Sequence, residues 1–324
     1  MSGALRANGD DAVWAALERA LTAVRGEPIA IAELLRRPFA YETSFAIDEL
    51  DVRLAGGERL ALLVKDVGTA GLSAEAAATK PAHTLDPDRE IAVYRDLLSP
   101  AALSTPRFHG ADVDPEAGRW WLFLERIEGE VLTDVGEVSI WSEVAAWAAR
   151  VDRAVEGDSD LLLRRDADWH GRWIDAAAAA LGDAALAEHL RVGRATLIER
   201  LEALPRAFVH GELYPANVLV ARGEVPTRIA PVDWELAGDG PYALDLAALV
   251  SGWNRDDREA MCRSFHQSLP AGAPSFARLL ADVELCELSL ALQWIGWAPG
   301  WAPPEAQRRD WPGEASRLLG AVLP

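Results

Sequence analysis

The sequence predicts an α+β protein in two lobes, a small sheet lobe followed by a large helical one. Three observations carry that reading. Strand patterns crowd the first 127 residues, helical patterns dominate after Gly129, and the one strand-rich interval of the second half, 207–233, holds the main polar loops. At 324 residues the chain is long enough for two cores. The expected division is 1–126 and 127–324, with WLFLERIEG as the crossing.

The elements follow in order. Residues 11–25 read as an amphipathic helix. FAIDELDVRLA and RLALLVKDV read as two strands joined by Gly56-Gly57, a tight hairpin signal. In LDPDREIAVYRDLL, Asp86 is an N-cap and Pro87 the first helical residue, which puts Ile91, Tyr94 and Leu98 on one face. Strands around TPRFHGADV and RWWLFLERI are separated by a turn at Asp114-Pro115 and Gly118. Beyond Gly129, helices are expected at 140–156, about 168–202, 243–253 and repeatedly from 256 onwards.

The formal net charge of −19 argues against nucleic acid or an anionic membrane as partner, since both need clustered Lys and Arg. It permits a cationic small molecule, while any anionic ligand needs a local exception built from a few fixed cations, backbone N–H groups or a metal. No run of 18 uncharged apolar residues predicts a membrane span. The N-terminus lacks the basic start and apolar stretch of a secretory signal, and Cys262 and Cys286 lack metal-site spacing. The expectation is a cytoplasmic protein with two buried, reduced thiols.

Chemistry concentrates in two loops. FVHGELYPANVLV sets His210, Glu212 and Asn217 between buried strands, and PVDWELAG puts Asp233 just after another strand. The intervening LVARGEVPTRIA is short enough for a hairpin, which would bring Glu212, Asn217 and Asp233 towards one point. Two carboxylates and an amide oxygen suit a hard cation such as Mg²⁺, which prefers a few oxygen ligands plus substrate phosphates. Glu212 could instead act on a substrate hydroxyl. Upstream, Lys65 ends the apolar run LALLVK and is either a strand-end residue reaching for water or a charge facing a cleft. Glu90, 25 residues on, would alone be a solvated helix residue; together the two allow a Lys–Glu pair that aims the ammonium at phosphates.

LLVK, REIAVY, WLFLERIEG, VHGELYPANVLV, VDWE and GPYALDLAAL occur in order across residues 60–250, and the set resembles the aminoglycoside phosphotransferase/choline kinase-type family of the protein-kinase-like fold. The resemblance implies a nucleotide-binding lobe at 1–126 and a helical lobe at 127–324 holding the catalytic loop and acceptor site. It implies that Lys65, positioned by Glu90, contacts the α/β-phosphates, and that Asn217 and Asp233 hold Mg²⁺. Glu212 would deprotonate the acceptor hydroxyl, the backbone of Glu125 to Ile127 would pair with adenine, and His210 and Asp245 would brace the loop. The implied donor is ATP, with GTP as the other option.

Three departures stand out. The family's aspartate base is here Glu212, one methylene longer, so a backbone shift or another rotamer must absorb about 1.5 Å, one C–C bond. The candidate phosphate-covering segment, RRPFAYETSFAID at 36–48, has no glycine; Thr43 and Ser44 would cap the phosphates unless the segment is only a polar turn. Asp152 stands where many members carry a Leu-His pair. No G-x-x-x-x-G-K-[ST], G-x-G-x-x-G, H-E-x-x-H or G-x-S-x-G occurs.

In this fold the last 75 residues would determine the acceptor. Trp253, Trp294, Trp297, Trp301 and Trp311 serve the core or, beside Asp256, Asp257, Glu284 or Glu287, stack on a sugar while the acids hold amines. The expected activity is ATP·Mg-dependent phosphorylation of a small-molecule hydroxyl on a sugar, aminosugar or other natural product. The alternatives are a kinase acting on peptide Ser/Thr and a pseudokinase that binds without turnover.

Overall fold

An antiparallel sheet of five strands forms the first half of the molecule. This computed structural model describes residues 10–40, 44–155, 160–223, 227–297 and 309–323. The sheet contains β1 (Ile31–Pro38), β2 (Ile47–Leu54), β3 (Arg59–Asp66), β4 (Phe108–Asp114) and β5 (Arg119–Glu125), in the order β1-β2-β3-β5-β4. The β2–β3 hairpin turns at Gly56-Gly57, where Gly57 takes φ +92°, a left-handed conformation that favours glycine. Lys65 therefore sits at the end of a central strand, opposite Ile47 on β2 and Leu122 on β5.

Helix α1 (Asp10–Arg25) packs Val13, Ala16, Leu17, Ala20 and Leu21 against Leu50, Val52, Leu62 and Phe123. That apolar stripe, spaced at helical period, gives the sheet its own core. After β3 come α2 (Ala74–Thr79) and α3 (Pro87–Ala92), of which α3 packs against β5 and is extended by a π-helical turn, Val93–Leu98, and the short α4 (Ser99–Ala101). Asp86 caps α3 by accepting from Asp88 N–H, and Pro87 occupies the first turn, as expected.

The helical half starts with the two-residue β6 (Glu130–Val131) and α5 (Val138–Ala154), followed by β7 (Leu163–Arg164), α6 (Ala167–Ala180) and α7 (Ala184–Glu202). Next come β8 (Arg206–Val209), β9 (Val218–Ala221), β10 (Arg228–Pro231), β11 (Gly238–Pro241) and α8 (Leu244–Val250). Helices α9 (Arg255–Ser268), α10 (Phe276–Trp297) and α11 (Trp311–Val322) complete it. The two loops of interest lie between β8 and β9 and between β10 and β11, with β9 and β10 paired antiparallel as the expected hairpin. Around them packs one continuous core, from Leu122 and Tyr94 to Leu319.

Four features differ from the sequence reading. The charge-rich IAELLRRP is edge strand β1, whose Arg36 and Arg37 pair with Asp48 and Glu49 across the ladder. The short β6, β7 and β11 are recruited by neighbouring strands rather than by their own composition. The long helix expected over 168–202 is two helices, because Gly182 interrupts it and Asp183 restarts it by accepting from the N–H groups of Ala185 and Leu186. Asp152, at the position where the family resemblance implies a Leu-His pair, braces the core with its carboxylate instead, Oδ1 accepting from Phe208 N–H at 2.7 Å on the strand that leads into the first loop.

Replacing Asp183 by Ala removes that cap and is expected to cost about 1 kcal/mol, read as a lower urea midpoint at unchanged m-value.

Candidate active site

Lys65 is the centre of the site. Its ammonium, almost fully buried, lies 2.7 Å from Glu90 Oε2 and 2.5 Å from Asp233 Oδ1. Glu90 reaches it from α3 and also accepts, through Oε1, from Trp234 N–H at 3.3 Å. The lysine thus ties the small sheet, α3 and the loop after β10 to one point. Burial opposes its charge, but the two carboxylates hold its pKa well above the ordinary value. For Glu90 burial prevails and pushes the carboxyl up. For Asp233 burial pushes up too, yet Lys65 and Lys80 together hold it below the usual range.

Asp233 has φ +67°, rare for a non-glycine residue. The surroundings over-determine that strain. Val232 N–H donates to Asn217 O at 2.9 Å, Val232 O bonds His210 Nε2 at 2.9 Å, and the indole of Trp234 stacks on Phe208.

The first loop hangs from Asp245 on α8, which accepts from the N–H groups of His210 at 2.7 Å and Gly211 at 2.9 Å. Gly211 is obligatory twice over. It has φ +89°, and a Cβ there would lie 2.4 Å from Leu236 O and 2.0 Å from the guanidinium of Arg165. Arg165, buried beneath the loop, donates to Leu236 O at 2.6 Å. Asn217 Nδ2 donates to Glu212 O at 3.0 Å, so the loop closes on itself, with Glu212 near enough to Asp233 for their charges to interact. Burial, reinforced by Glu235, pushes the Glu212 carboxyl up to about 8.

The donor set of Asn217 and Asp233, one amide oxygen and one carboxylate, is the kind that binds Mg²⁺ together with substrate phosphates. No cluster of three or more His, Cys, Asp or Glu that could hold a metal occurs among the described residues. A cation there would therefore depend on oxygens from a second ligand.

Other sequence candidates fall in different places. Glu125 bridges the halves, its carboxylate 2.8 Å from Arg228 Nη1 on β10. The N–H groups of Glu125 and Arg126 are spent in the sheet on Arg107 O and Ala61 O, which leaves Ile127 as the N–H donor of that stretch. Ser44 O accepts from Ser73 N–H and Ala46 N–H donates to Gly71 O, so this side of the glycine-free segment is bridged to 71–73. Thr43 and Trp301 lie outside the described residues.

Of the acceptor candidates, Trp294 reaches the first loop. Its indole N–H donates to Tyr214 OH, and its ring stacks on Trp311 at 6.0 Å. Trp297 stacks on Trp173 at 5.5 Å. Glu287 is corrected to a core residue, 3% exposed and 2.8 Å from Arg258 Nη1. Trp253 packs edge-on against Trp141 at 4.8 Å, and Asp256 and Asp257 form the first turn of α9, their N–H groups capped by Asn254. Glu284 is half-buried on α10. Sequence reasoning missed Lys80 and Glu235, which form a buried ion pair beside the site. It also missed Arg165; an Arg-Arg pair ahead of a helix reads as ordinary surface charge in a sequence.

A small antiparallel sheet and a helical half, joined where a strand lysine meets an aspartate from the loop after β10, define a kinase-like fold. The chain belongs to the phosphotransferase enzyme family, whose model matches residues 77–280, more than half the sequence and a stretch containing both loops. No curated protein matches by sequence. Among solved structures, choline kinase LicA from Streptococcus pneumoniae is similar at TM-score 0.57 and 13% identity, over 98% of this chain and 99% of that one. The GDP complex of aminoglycoside 2′-phosphotransferase-IIIa is similar at TM-score 0.54 and 12% identity, over 93% and 96%. An ethanolamine kinase from Plasmodium vivax is similar at TM-score 0.57 and 9% identity, over 90% and 82%. No helix among the described residues is long and apolar enough to cross a membrane.

Gly211→Ala is expected to cost at least about 3 kcal/mol, because left-handed strain adds to a backbone clash; chemical denaturation measures it. Burial pushes the Glu287 carboxyl up to about 7. Its folded value exceeds its unfolded one, so its contribution is full at low pH and is lost as pH rises through about 7. Between pH 5 and 8 the melting temperature of Glu287→Gln should therefore rise relative to wild type.

Proposed function

We propose that the chain is a phosphotransferase that moves the γ-phosphate of ATP to a hydroxyl of a small molecule, with Mg²⁺. The observation that carries this reading is the convergence on Lys65: a buried ammonium, fixed by Glu90, faces Asp233 beside a loop whose backbone is clamped by Asp245. Phosphoryl transfer proceeds through a loose transition state and needs placement and charge neutralisation more than covalent chemistry. Mg²⁺, when bound, supplies charge neutralisation at the phosphate oxygens.

The chain's own residues divide the remaining work. Lys65 releases Asp233 Oδ1 and binds the α/β-phosphates while Glu90 keeps it aimed. Asp233 and Asn217 present their oxygens to the metal. Glu212, in the ionised form that its raised pKa favours only towards pH 8 and above, orients the acceptor hydroxyl and accepts its proton at a carboxylate oxygen as the new O–P bond forms and the bond from the γ-phosphorus to the β–γ bridging oxygen breaks, releasing ADP. The Asn217 amide on Glu212 O and the His210 ring on Val232 O keep the two loops in register. The adenine edge would pair with the crossing at Glu125 to Ile127, with the Ile127 N–H as donor.

The acceptor lies beyond Glu212, next to Tyr214, Trp294 and Trp311. An aromatic wall in a chain of net charge −19 suits an aminosugar or other cationic alcohol. Similarity to choline, ethanolamine and aminoglycoside kinases supports that class.

A thermal shift with ATP that grows when Mg²⁺ is added, followed by ADP release across sugars, amino alcohols and aminoglycosides, tests the reading. Asp233→Ala is expected to abolish transfer, and Glu212→Asp to retain or raise it. Glu212→Gln should lower kcat about 10²–10⁴-fold; an unchanged kcat would refute the base assignment.

A further inference from the structure

Lys65 has a counterpart. Lys80, at the C-terminal end of α2, reaches Glu235 Oε1 on the loop after β10, with both side chains about one-tenth exposed. The pair joins the small sheet's flank to the loop carrying Asp233, two residues before Glu235. Both ammonium groups lie over one ring, Phe45, at 5.1 Å for Lys65 and 5.2 Å for Lys80. Phe45 stands in the segment expected to cover the phosphates, and it is buried.

The sequence leaves a deficit in that segment. With no glycine between 36 and 48, and with the N–H groups of Phe39 and Ala46 committed to Ile47 O and Gly71 O, the described part of that segment has fewer backbone donors to turn towards an anion. A second fixed cation would fill the deficit, and Lys80 is placed to do so. A buried ion pair is weak evidence of a purely stabilising role, since removing two charges from water costs as much as their attraction returns. An ammonium on a four-carbon stem, held by one carboxylate, can exchange that partner for a phosphate oxygen without leaving its site. Lys65, held by two carboxylates on separate elements, is the more fixed of the two.

We propose that Lys80 is a second phosphate-binding cation of the nucleotide site, stored on Glu235 while the site is empty and transferred to the terminal phosphates when nucleotide binds. The proposal rests on the phosphotransferase reading above. It assigns Glu235 the role of counter-ion to a ligand-binding lysine, and Phe45 that of a spacer keeping the two ammonium groups apart.

Calorimetric titration of ADP and of adenosine, in EDTA, tests it without an acceptor or turnover. Lys80→Met should weaken ADP about tenfold or more while leaving adenosine within about twofold, since a charge-assisted hydrogen bond is worth that much. Lys80→Arg should keep most of the ADP affinity, and Glu235→Gln, by freeing Lys80, should tighten ADP. If Lys80→Met folds poorly because Glu235 is left buried and unpaired, the Lys80→Met/Glu235→Gln double variant carries the same comparison. Equal weakening of ADP and adenosine, or no weakening of either, overturns the role of Lys80 and leaves the phosphotransferase reading standing. Wild-type protein that binds no ADP or ATP, with or without Mg²⁺, overturns both.

Discussion

A buried ammonium with two carboxylates is the constraint on which the rest of the molecule depends. Lys65 cannot be desolvated unless α3 brings Glu90 and the loop after β10 brings Asp233, so three elements distant in sequence are fixed relative to one another by one charge. The sheet must offer a central strand end there, α3 must be capped and oriented, and β9 and β10 must pair. The left-handed backbone at Asp233 is held in place by the same convergence.

Beneath this polar centre the structure uses backbone clamps rather than side-chain mass. Asp245 holds two consecutive N–H groups, His210 spans to Val232, and Arg165 fills the space that a Cβ at residue 211 would need. These contacts bring the longer Glu212 to the site on a rigid loop. They also pack its half-buried carboxyl against the protein, and partial desolvation is the main reason its pKa is raised.

Much of this was legible in the sequence, for identifiable reasons. Hairpin and cap signals around Gly56-Gly57 and Asp86-Pro87 are local chemistry, and they locate β2, β3 and α3 within a residue or two. Lys65, Asn217 and Asp233 stood out as polar residues bordering apolar strands, whereas Glu90 alone read as a solvated helix residue and drew notice only beside Lys65. The remainder depends on partners far away in the chain. Nothing in IAELLRRP distinguishes an edge strand from a polar loop until Asp48 and Glu49 stand opposite its arginines. Glu287 carries the composition of a surface residue and is buried only because Arg258 meets it. Lys80 and Glu235 lie 155 positions apart, and no spacing rule joins them.

The guanidinium of Arg228 donates to Ser104 O, Thr105 O and both carboxylate oxygens of Glu125, so one side chain on β10 is fastened to the ends of β4 and β5. Four bonds from one planar group leave little room for the sheet to slide along β10, so they fasten the strand that delivers Asp233 to the half that carries Lys65.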